Sequence, residues 1–238
     1  MKIGLFGYGK MGKTIEEICL ERGHEIVAKI NSKSTTDEKE LLKNADVVIE
    51  FTRPESALEN FNFCFDNGIS IVTGTTGWYD QMNKVKALCE SSDASFFWAS
   101  NFSIGVNLFW EVNKKLAQLM ASYPEYKVSM DEIHHTQKLD EPSGTAITTA
   151  NQIIEVRDDL ENWKLSEEHP SSKDLAITAF REGDVKGTHV VKYQSEIDNI
   201  ELKHEAKTRK GFALGSVLAA EFLYGKKGFF TMSDLLQL

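Results

Sequence analysis

Apolar positions follow two different rhythms along this chain. Up to about residue 105, short apolar runs alternate with segments whose apolar residues recur at helical spacing. Met1–Phe6 reads as a strand, and Met11, Ile15, Ile18 and Cys19 then share one face of a helix that Gly23 is placed to end. Glu25–Ile30 is a second strand, Leu41–Asn44 the end of a short helix, and Val47–Phe51 a third strand. Pro54 opens a helix with Ala57, Leu58, Phe61 and Phe65 on its buried stripe. Ile69–Thr73, Asp80–Glu90 and Ser95–Trp98 continue as strand, helix and strand. Runs without polar alternation suit strands covered on both faces, and the strand–helix alternation predicts a parallel sheet.

The rhythm changes after about residue 105. Val106–Met120 reads as a long helix, Tyr126–His134 as a strand, and Ser143–Val156 as a helix that starts directly after Pro142. Asp174–Arg181, Thr188–Gln194 and Ile197–Glu205 are strand-like runs parted by turn residues such as Glu182-Gly183-Asp184. With no helix between them, antiparallel pairing is expected. The tail returns to helix at Phe212–Tyr224. Two units follow: residues 1–105 with 211–238, and an α+β unit over 106–210.

Composition narrows the class. The 238 residues are 41% hydrophobic and 26% charged, an ordinary globular balance. Lys and Arg number 27 against 36 Asp and Glu, a net charge of −9 that disfavours nucleic acid and anionic membranes as partners. The longest stretch without a charge, Ala94–Trp110, is interrupted by Ser95, Ser100, Asn101, Ser103 and Asn107, too polar for a membrane span. The N-terminus lacks the pattern of a secretory leader. Three widely spaced cysteines read as reduced, mostly buried thiols, which fits a cytoplasmic protein.

Gly7-Tyr8-Gly9-Lys10-Met11-Gly12 is a GxGxxG motif lying between a predicted strand and a predicted helix. Gly7 allows a tight turn, Gly9 lets a pyrophosphate approach the backbone, and Gly12 lets the helix pack close to the strand. The helix start adds N–H groups and the positive end of its dipole. The expected fold class is therefore α/β, with an N-terminal Rossmann-type parallel sheet. The second strand leads into Asn31, Ser32, Lys33 and Ser34, with no acidic residue before Asp37. Two hydroxyls and an ammonium suit a 2′-phosphate better than a diol, which favours NADPH and leaves NADH possible. A solvated loop lysine is an equally good account of Lys33. The whole-chain acidity does not oppose this, since Met1–Ile15 carries Lys2, Lys10 and Lys13 and no carboxylate.

Glu132-Ile133-His134-His135-Thr136-Gln137-Lys138 is the second informative stretch, followed by Pro142-Ser143-Gly144-Thr145 at a helix start. Histidines and a lysine beside a helix N-terminus make a plausible acid–base and carboxylate-binding set. Composition alone would favour two ordinary histidines and a solvated lysine. No metal is expected, because no third ligand stands at suitable spacing.

The chain resembles the dihydrodipicolinate reductase family. The resemblance rests on GYGKMG at 7–12, EFTRPE at 50–55, GTTGW at 74–78, ASNFSIGVN at 99–107, EIHHTQKLDEPSGTA at 132–146 and REGDVKGTHVV at 181–191. It implies an NAD(P)H-dependent reductase of a cyclic dicarboxylate on the diaminopimelate route to lysine. His134 would be the acid/base residue and Lys138 the proton donor. His135, Lys138, Ser143, Gly144 and Thr145 would contact substrate. Cofactor would meet Gly7, Tyr8, Gly9, Lys10, Met11, Gly12, Lys33 and Thr52, with Arg53 close by, and Gly74, Thr75, Thr76, Ala99, Ser100, Asn101 and Phe102 on the nicotinamide side. The second unit becomes the substrate-binding and oligomerisation domain of a homotetramer. The chain departs from the family in being short, in lacking the acidic residue after the second strand, and in carrying Glu50 where aspartate is more common. A different nicotinamide oxidoreductase of amino-acid metabolism, or a silent dinucleotide-binding regulator, remains an alternative.

Overall fold

A computed structural model describes residues 1–208 and 210–238. The chain divides into two compact units, Met1–Ile104 with Lys210–Leu238, and Gly105–Arg209. In the first unit the elements run β1 (Lys2–Phe6), α1 (Lys10–Glu21), β2 (Glu25–Ile30), α2 (Thr36–Glu40), β3 (Val47–Glu50), α3 (Pro54–Asp66), β4 (Ser70–Thr73), α4 (Met82–Ser91) and β5 (Phe96–Trp98). The helix α5 (Ile104–Met120) follows. The second unit continues with β6 (Lys127–His134), α6 (Gly144–Ile154), β7 (Asn162–Leu165), β8 (Asp174–Arg181), β9 (Thr188–Gln194) and β10 (Asn199–Glu205). Finally α7 (Lys210–Leu223), β11 (Phe229–Phe230) and α8 (Met232–Leu236) return to the first unit.

The first unit is built on a six-stranded parallel sheet in the order β11-β5-β4-β3-β1-β2. Its central strands β1, β3 and β4 are largely apolar because both faces are covered, whereas the edge strand β2 carries the exposed Glu25 and Lys29. Ile3, Leu5, Val47, Ile49 and Val72 point into a core shared with Ile15 and Ile18 of α1 and Val217 and Ala220 of α7. Phe6, Val48 and Ile71 point the other way, onto Phe61 and Phe65 of α3 and Val85 of α4. Alternate residues of one strand thus feed two different cores. The three cysteines are buried and free. Among the described residues no helix is long and apolar enough to cross a membrane.

The second unit carries a five-stranded mixed sheet, β10-β9-β6-β8-β7. The antiparallel pairing expected among its last three strands holds for β9 and β10 but not for β8 and β9. β6 lies between those two, parallel to β8 and antiparallel to β9. Beyond β8 lies a short edge strand that periodicity missed. β7 pairs with β8 in parallel, and α6 supplies the crossover from β6 that parallel strands require. Residues Met130, Leu175, Ile177, Val191 and Tyr193 face Phe109 and Ala117 of α5 and Ala146, Ala150 and Ile153 of α6.

Other differences are local. Asp80 lies in a 3-10 turn over Tyr79–Gln81 ahead of α4. β10 starts at Asn199 because the Ser195 hydroxyl accepts from the N–H groups of Ile197 and Asp198, closing a turn there. Thr35 caps α2, and its capping box with Glu38 explains a helix whose sequence has no apolar stripe.

Candidate active site

In the first unit the site grows from the end of β1. Gly7 adopts φ +93°, and a Cβ there would lie 1.8 Å from the Phe51 carbonyl oxygen, so only glycine fits the turn. Both Gly7 and Tyr8 donate backbone N–H groups to the Ile30 carbonyl, tying the turn to the end of β2. Gly9 precedes α1, and a Cβ on it would meet nothing within 4 Å. Open space at that point, beside a helix whose first N–H groups have no partner within the helix, is what a phosphate needs.

A cavity of about 840 Å³ opens beside this turn. Gly7, Tyr8, Gly9, Lys33 and Thr52 all line it, together with Arg53, so five of the sequence-predicted cofactor positions converge. Asn31, Ser32 and Ser34 form the wall next to Lys33; the Asn31 side chain accepts from the Lys33 N–H at 2.8 Å, and the Ser34 hydroxyl accepts from Asn31 at 3.1 Å. Lys39, Ser56, Glu59 and Asn60 also line it and were not singled out from sequence. Lys39 sits on the wholly polar α2 and the other three on the amphipathic α3, where a polar residue ordinarily signals only solvent. A nicotinamide dinucleotide fits this donor set: a glycine cradle, a helix start, and cationic and hydroxyl groups at the far wall.

The remaining cofactor positions lie elsewhere in the unit. Met11 packs on the core and Gly12 is buried in α1, while Lys10 is exposed. Thr75 is buried, its hydroxyl turned to Glu50 at 3.0 Å. Gly74 donates to the Glu50 carbonyl at 2.9 Å, and Thr76 is exposed. Phe102 is a core residue stacked on Phe97, Ala99 is buried, and the Asn101 side chain accepts from Ser103 N–H at 2.8 Å. Ser100 is exposed.

In the second unit β6 ends at His134, which is buried, and His135 begins the loop that leads to α6. The loop is pinned on both sides. Glu182 donates its N–H to the His134 carbonyl at 2.7 Å, and Thr136 donates to the Gly183 carbonyl at 3.3 Å. Lys138 Nζ lies 2.7 Å from both carboxylate oxygens of Asp140. Ser143 caps α6 by accepting from Ala146 N–H at 3.2 Å, and a Cβ on Gly144 would meet nothing within 4 Å. Thr145 lies in the first turn of α6.

A group that the sequence reading did not assign supports this loop. Glu132 is fully buried and accepts from Ser143 N–H at 2.9 Å and from Arg181 at 3.1 Å. Arg181 also donates to the Asp140 carbonyl at 2.8 Å. His189, opposite Glu132 on β9, is paired with the Ser143 hydroxyl at 3.1 Å and packs edge-on against His134 with ring centroids 5.2 Å apart. Ligand atoms of Glu132, His134 and His189 all lie within 4.8 Å of one another, so the third group missing from linear spacing is supplied by a neighbouring strand. Arg181 and the Ser143 N–H already engage the Glu132 oxygens, and that bound guanidinium opposes a further cation.

Burial pushes the His134 imidazole below its ordinary range; Lys138 and Arg181 push the same way, and Glu132 opposes them. Burial, His134, His204 and Lys138 carry His189 down to about 3. Both rings are therefore neutral at neutral pH.

Family models of the two parts of one enzyme match almost the whole chain: dihydrodipicolinate reductase, N-terminus, over residues 1–102, and dihydrodipicolinate reductase, C-terminus, over 105–236. The chain belongs to the dihydrodipicolinate reductase family. It is an oxidoreductase of a family that uses a nicotinamide cofactor. A 4-hydroxy-tetrahydrodipicolinate reductase of Christiangramia forsetii is 49% identical over 236 residues, covering 99% of this chain and 98% of that one. Among solved structures, a dipicolinate-bound dihydrodipicolinate reductase from Paenisporosarcina sp. TG-14 has a TM-score of 0.77 at 25% identity, covering 98% of each chain. A probable dehydrogenase from Thermotoga maritima shares the fold alone, with a TM-score of 0.56 at 11% identity over 100% of this chain and 93% of that one. The α/β reading, with a Rossmann-like sheet and a second mixed-sheet unit, agrees with these likenesses.

Proposed function

We propose that this protein reduces 4-hydroxy-tetrahydrodipicolinate, by way of dihydrodipicolinate, to tetrahydrodipicolinate in the diaminopimelate route to lysine, with NADPH as its preferred cofactor and NADH as an alternate. The observation that carries this reading is the 49% identity to a reductase of that name over 236 residues. The reduced nicotinamide, when bound, supplies a hydride. The turn Gly7–Gly9 and the first turn of α1, with Lys10, Met11 and Gly12, hold the pyrophosphate through backbone N–H groups. Lys33, Ser32 and Ser34 receive the 2′-phosphate, which is the reason for preferring NADPH. The segments Gly74–Thr76 and Ala99–Phe102 serve the nicotinamide end through their backbones, since the Thr75 hydroxyl and the Phe102 ring are turned inward.

Lys138 and the start of α6 form the substrate end. Gly144 and Thr145 present the helix N-terminus to one carboxylate, with Gly144 leaving the approach open. Ser143 acts as cap and anchor, since its N–H is committed to Glu132. Lys138 gives a proton from Nζ to the carbon next to the one reduced. A neutral His134 is a poor proton source, so its part is to hydrogen-bond the substrate and accept or relay a proton, with His135 beside it. The sheet face away from α5 and α6 carries Ile133, Thr178 and the part-exposed Phe180; this face is the assembly surface of a homotetramer. The three buried thiols suit a cytoplasmic location.

The test is to couple the protein to dihydrodipicolinate synthase and follow NADPH and NADH oxidation in parallel. Synthase-dependent oxidation, faster with NADPH and inhibited by dipicolinate, is expected. No oxidation of either cofactor would sink the reading. A mass-photometry peak at monomer size would sink the tetramer.

A further inference from the structure

We propose that Glu50 is a positioning residue for the cofactor: without touching it, the buried carboxylate fixes the Thr52 and Asn60 side chains that line its cavity, Thr52 partly by way of the buried Thr75 hydroxyl. The inference rests on the cofactor assignment made above. Glu50 ends β3 and is fully buried. Its oxygens accept from four donors on three segments: the Thr73 hydroxyl at the end of β4 at 2.5 Å and the Thr75 hydroxyl just beyond it at 3.0 Å, the Asn60 amide on α3 at 3.5 Å, and the Thr52 hydroxyl. A carboxylate is costly to bury unless it is hydrogen-bonded, and its neighbours Val48 and Ile49 show that the strand needs only an apolar residue for packing.

The network has a direction. The Thr52 N–H donates to the Thr75 hydroxyl at 2.8 Å, and that hydroxyl donates onward to Glu50. The Asn60 amide donates to the Thr52 hydroxyl at 3.3 Å as well as to Glu50. Thr52 and Asn60 both line the cavity, whereas Glu50 does not. The carboxylate therefore acts on the cofactor only through the groups it holds. Glutamine in its place would turn an amide donor toward hydroxyl donors, releasing at least one of them, while aspartate would keep both acceptors on a shorter stem.

The experiment is a fluorescence titration of NADPH against wild type, E50Q, E50D and Asn60→Ala, with Tm measured alongside and KM determined for NADPH and for the dicarboxylate. E50Q is expected to weaken NADPH binding by about tenfold, the usual scale for losing hydrogen bonds to a charged group. Its KM for the dicarboxylate should stay near wild type, E50D should recover most of the loss, and Asn60→Ala should lose less than E50Q. Wild-type NADPH affinity in E50Q overturns the proposal whatever happens to Tm. So does an equal rise in both KM values, which marks general loosening. Should E50Q fail to fold, unchanged NADPH affinity in both E50D and Asn60→Ala overturns it equally, and weakened affinity with an unaltered substrate KM supports it. If wild type itself binds no NADPH, the cofactor assignment falls and the proposal falls with it, an outcome distinct from a failure of Glu50 alone.

Discussion

Lys138 is clasped by Asp140, with its Nζ 2.7 Å from both oxygens of a carboxylate only two residues further along the same loop. The contact holds the Asp140 carboxyl below its ordinary range. It also occupies the ammonium that the proposed chemistry needs. A dicarboxylate substrate must therefore draw Lys138 away from Asp140, and the energy of that pair is set against substrate binding.

Removing the competitor should help binding. Asp140 is largely exposed, and such pairs are worth only about 0.2–1 kcal/mol, so D140N should lower substrate KM by no more than about fivefold. Lys138→Ala, by contrast, should lose about 10²–10⁴-fold in kcat while still binding cofactor, because it removes the proposed general acid. Steady-state kinetics with a nucleotide titration checks both. A D140N enzyme with raised substrate KM would mean that Asp140 steers Lys138 rather than competing for it.

Two glycines of one motif should respond in opposite ways. Gly7→Ala forces a side chain into positive φ and onto the Phe51 carbonyl, and should cost upwards of about 2 kcal/mol of stability. Gly9→Ala meets no protein atom, so its Tm should be nearly that of wild type while NADPH affinity falls, the new methyl standing where a phosphate would approach. Thermal melts paired with NADPH titration separate the cases. A Gly9→Ala protein with unchanged affinity would place the pyrophosphate elsewhere.

Much of this was legible in the chain because it is local. The apolar runs of β1, β3 and β4 and the stripe of α3 state their own burial, and GYGKMG lies between a strand and a helix as its chemistry requires. What escaped is non-local. β7 is a four-residue strand with no fully buried position, so nothing in its own letters announces a parallel edge strand beside β8. Glu132 and His189 are far apart in sequence and meet only because β6 and β9 are in register. Thr52 and Thr75, which the family resemblance sets near the cofactor, both turn their hydroxyls to Glu50, a link that nothing in the local sequence announces.

Lys33 offers a test of the proposed cofactor preference. It lines the cavity beside Ser32 and Ser34, with no carboxylate in the Asn31–Ser34 turn to engage a free ribose diol. Lys33→Ala should raise the KM for NADPH by about three- to tenfold, on the scale of one charge-assisted hydrogen bond, and leave the KM for NADH nearly unchanged. Equal effects on both cofactors would place Lys33 away from the 2′ position.

His189 should make the fold acid-sensitive. In the unfolded chain its imidazole protonates near the ordinary value of 6.5; in the fold, burial and the facing groups His134, His204 and Lys138 postpone this to about 3. Above about pH 6.5 neither state holds the proton, and His189 adds nothing to the pH dependence. Between about 6.5 and 3 the unfolded state binds a proton that the native state refuses, so stability falls as pH falls, by at most about 1.4 kcal/mol per pH unit from this one group. His134 and His204 are shifted in the same direction and steepen the loss. Denaturant melts from pH 7 to about pH 4 should show the decline. In H189Q, whose amide can still reach the Ser143 hydroxyl but does not titrate in this range, the slope should be visibly shallower. Equal slopes in the two proteins would mean that His189 opens to solvent before the fold is lost, and that the buried ring is not what sets the acid limit.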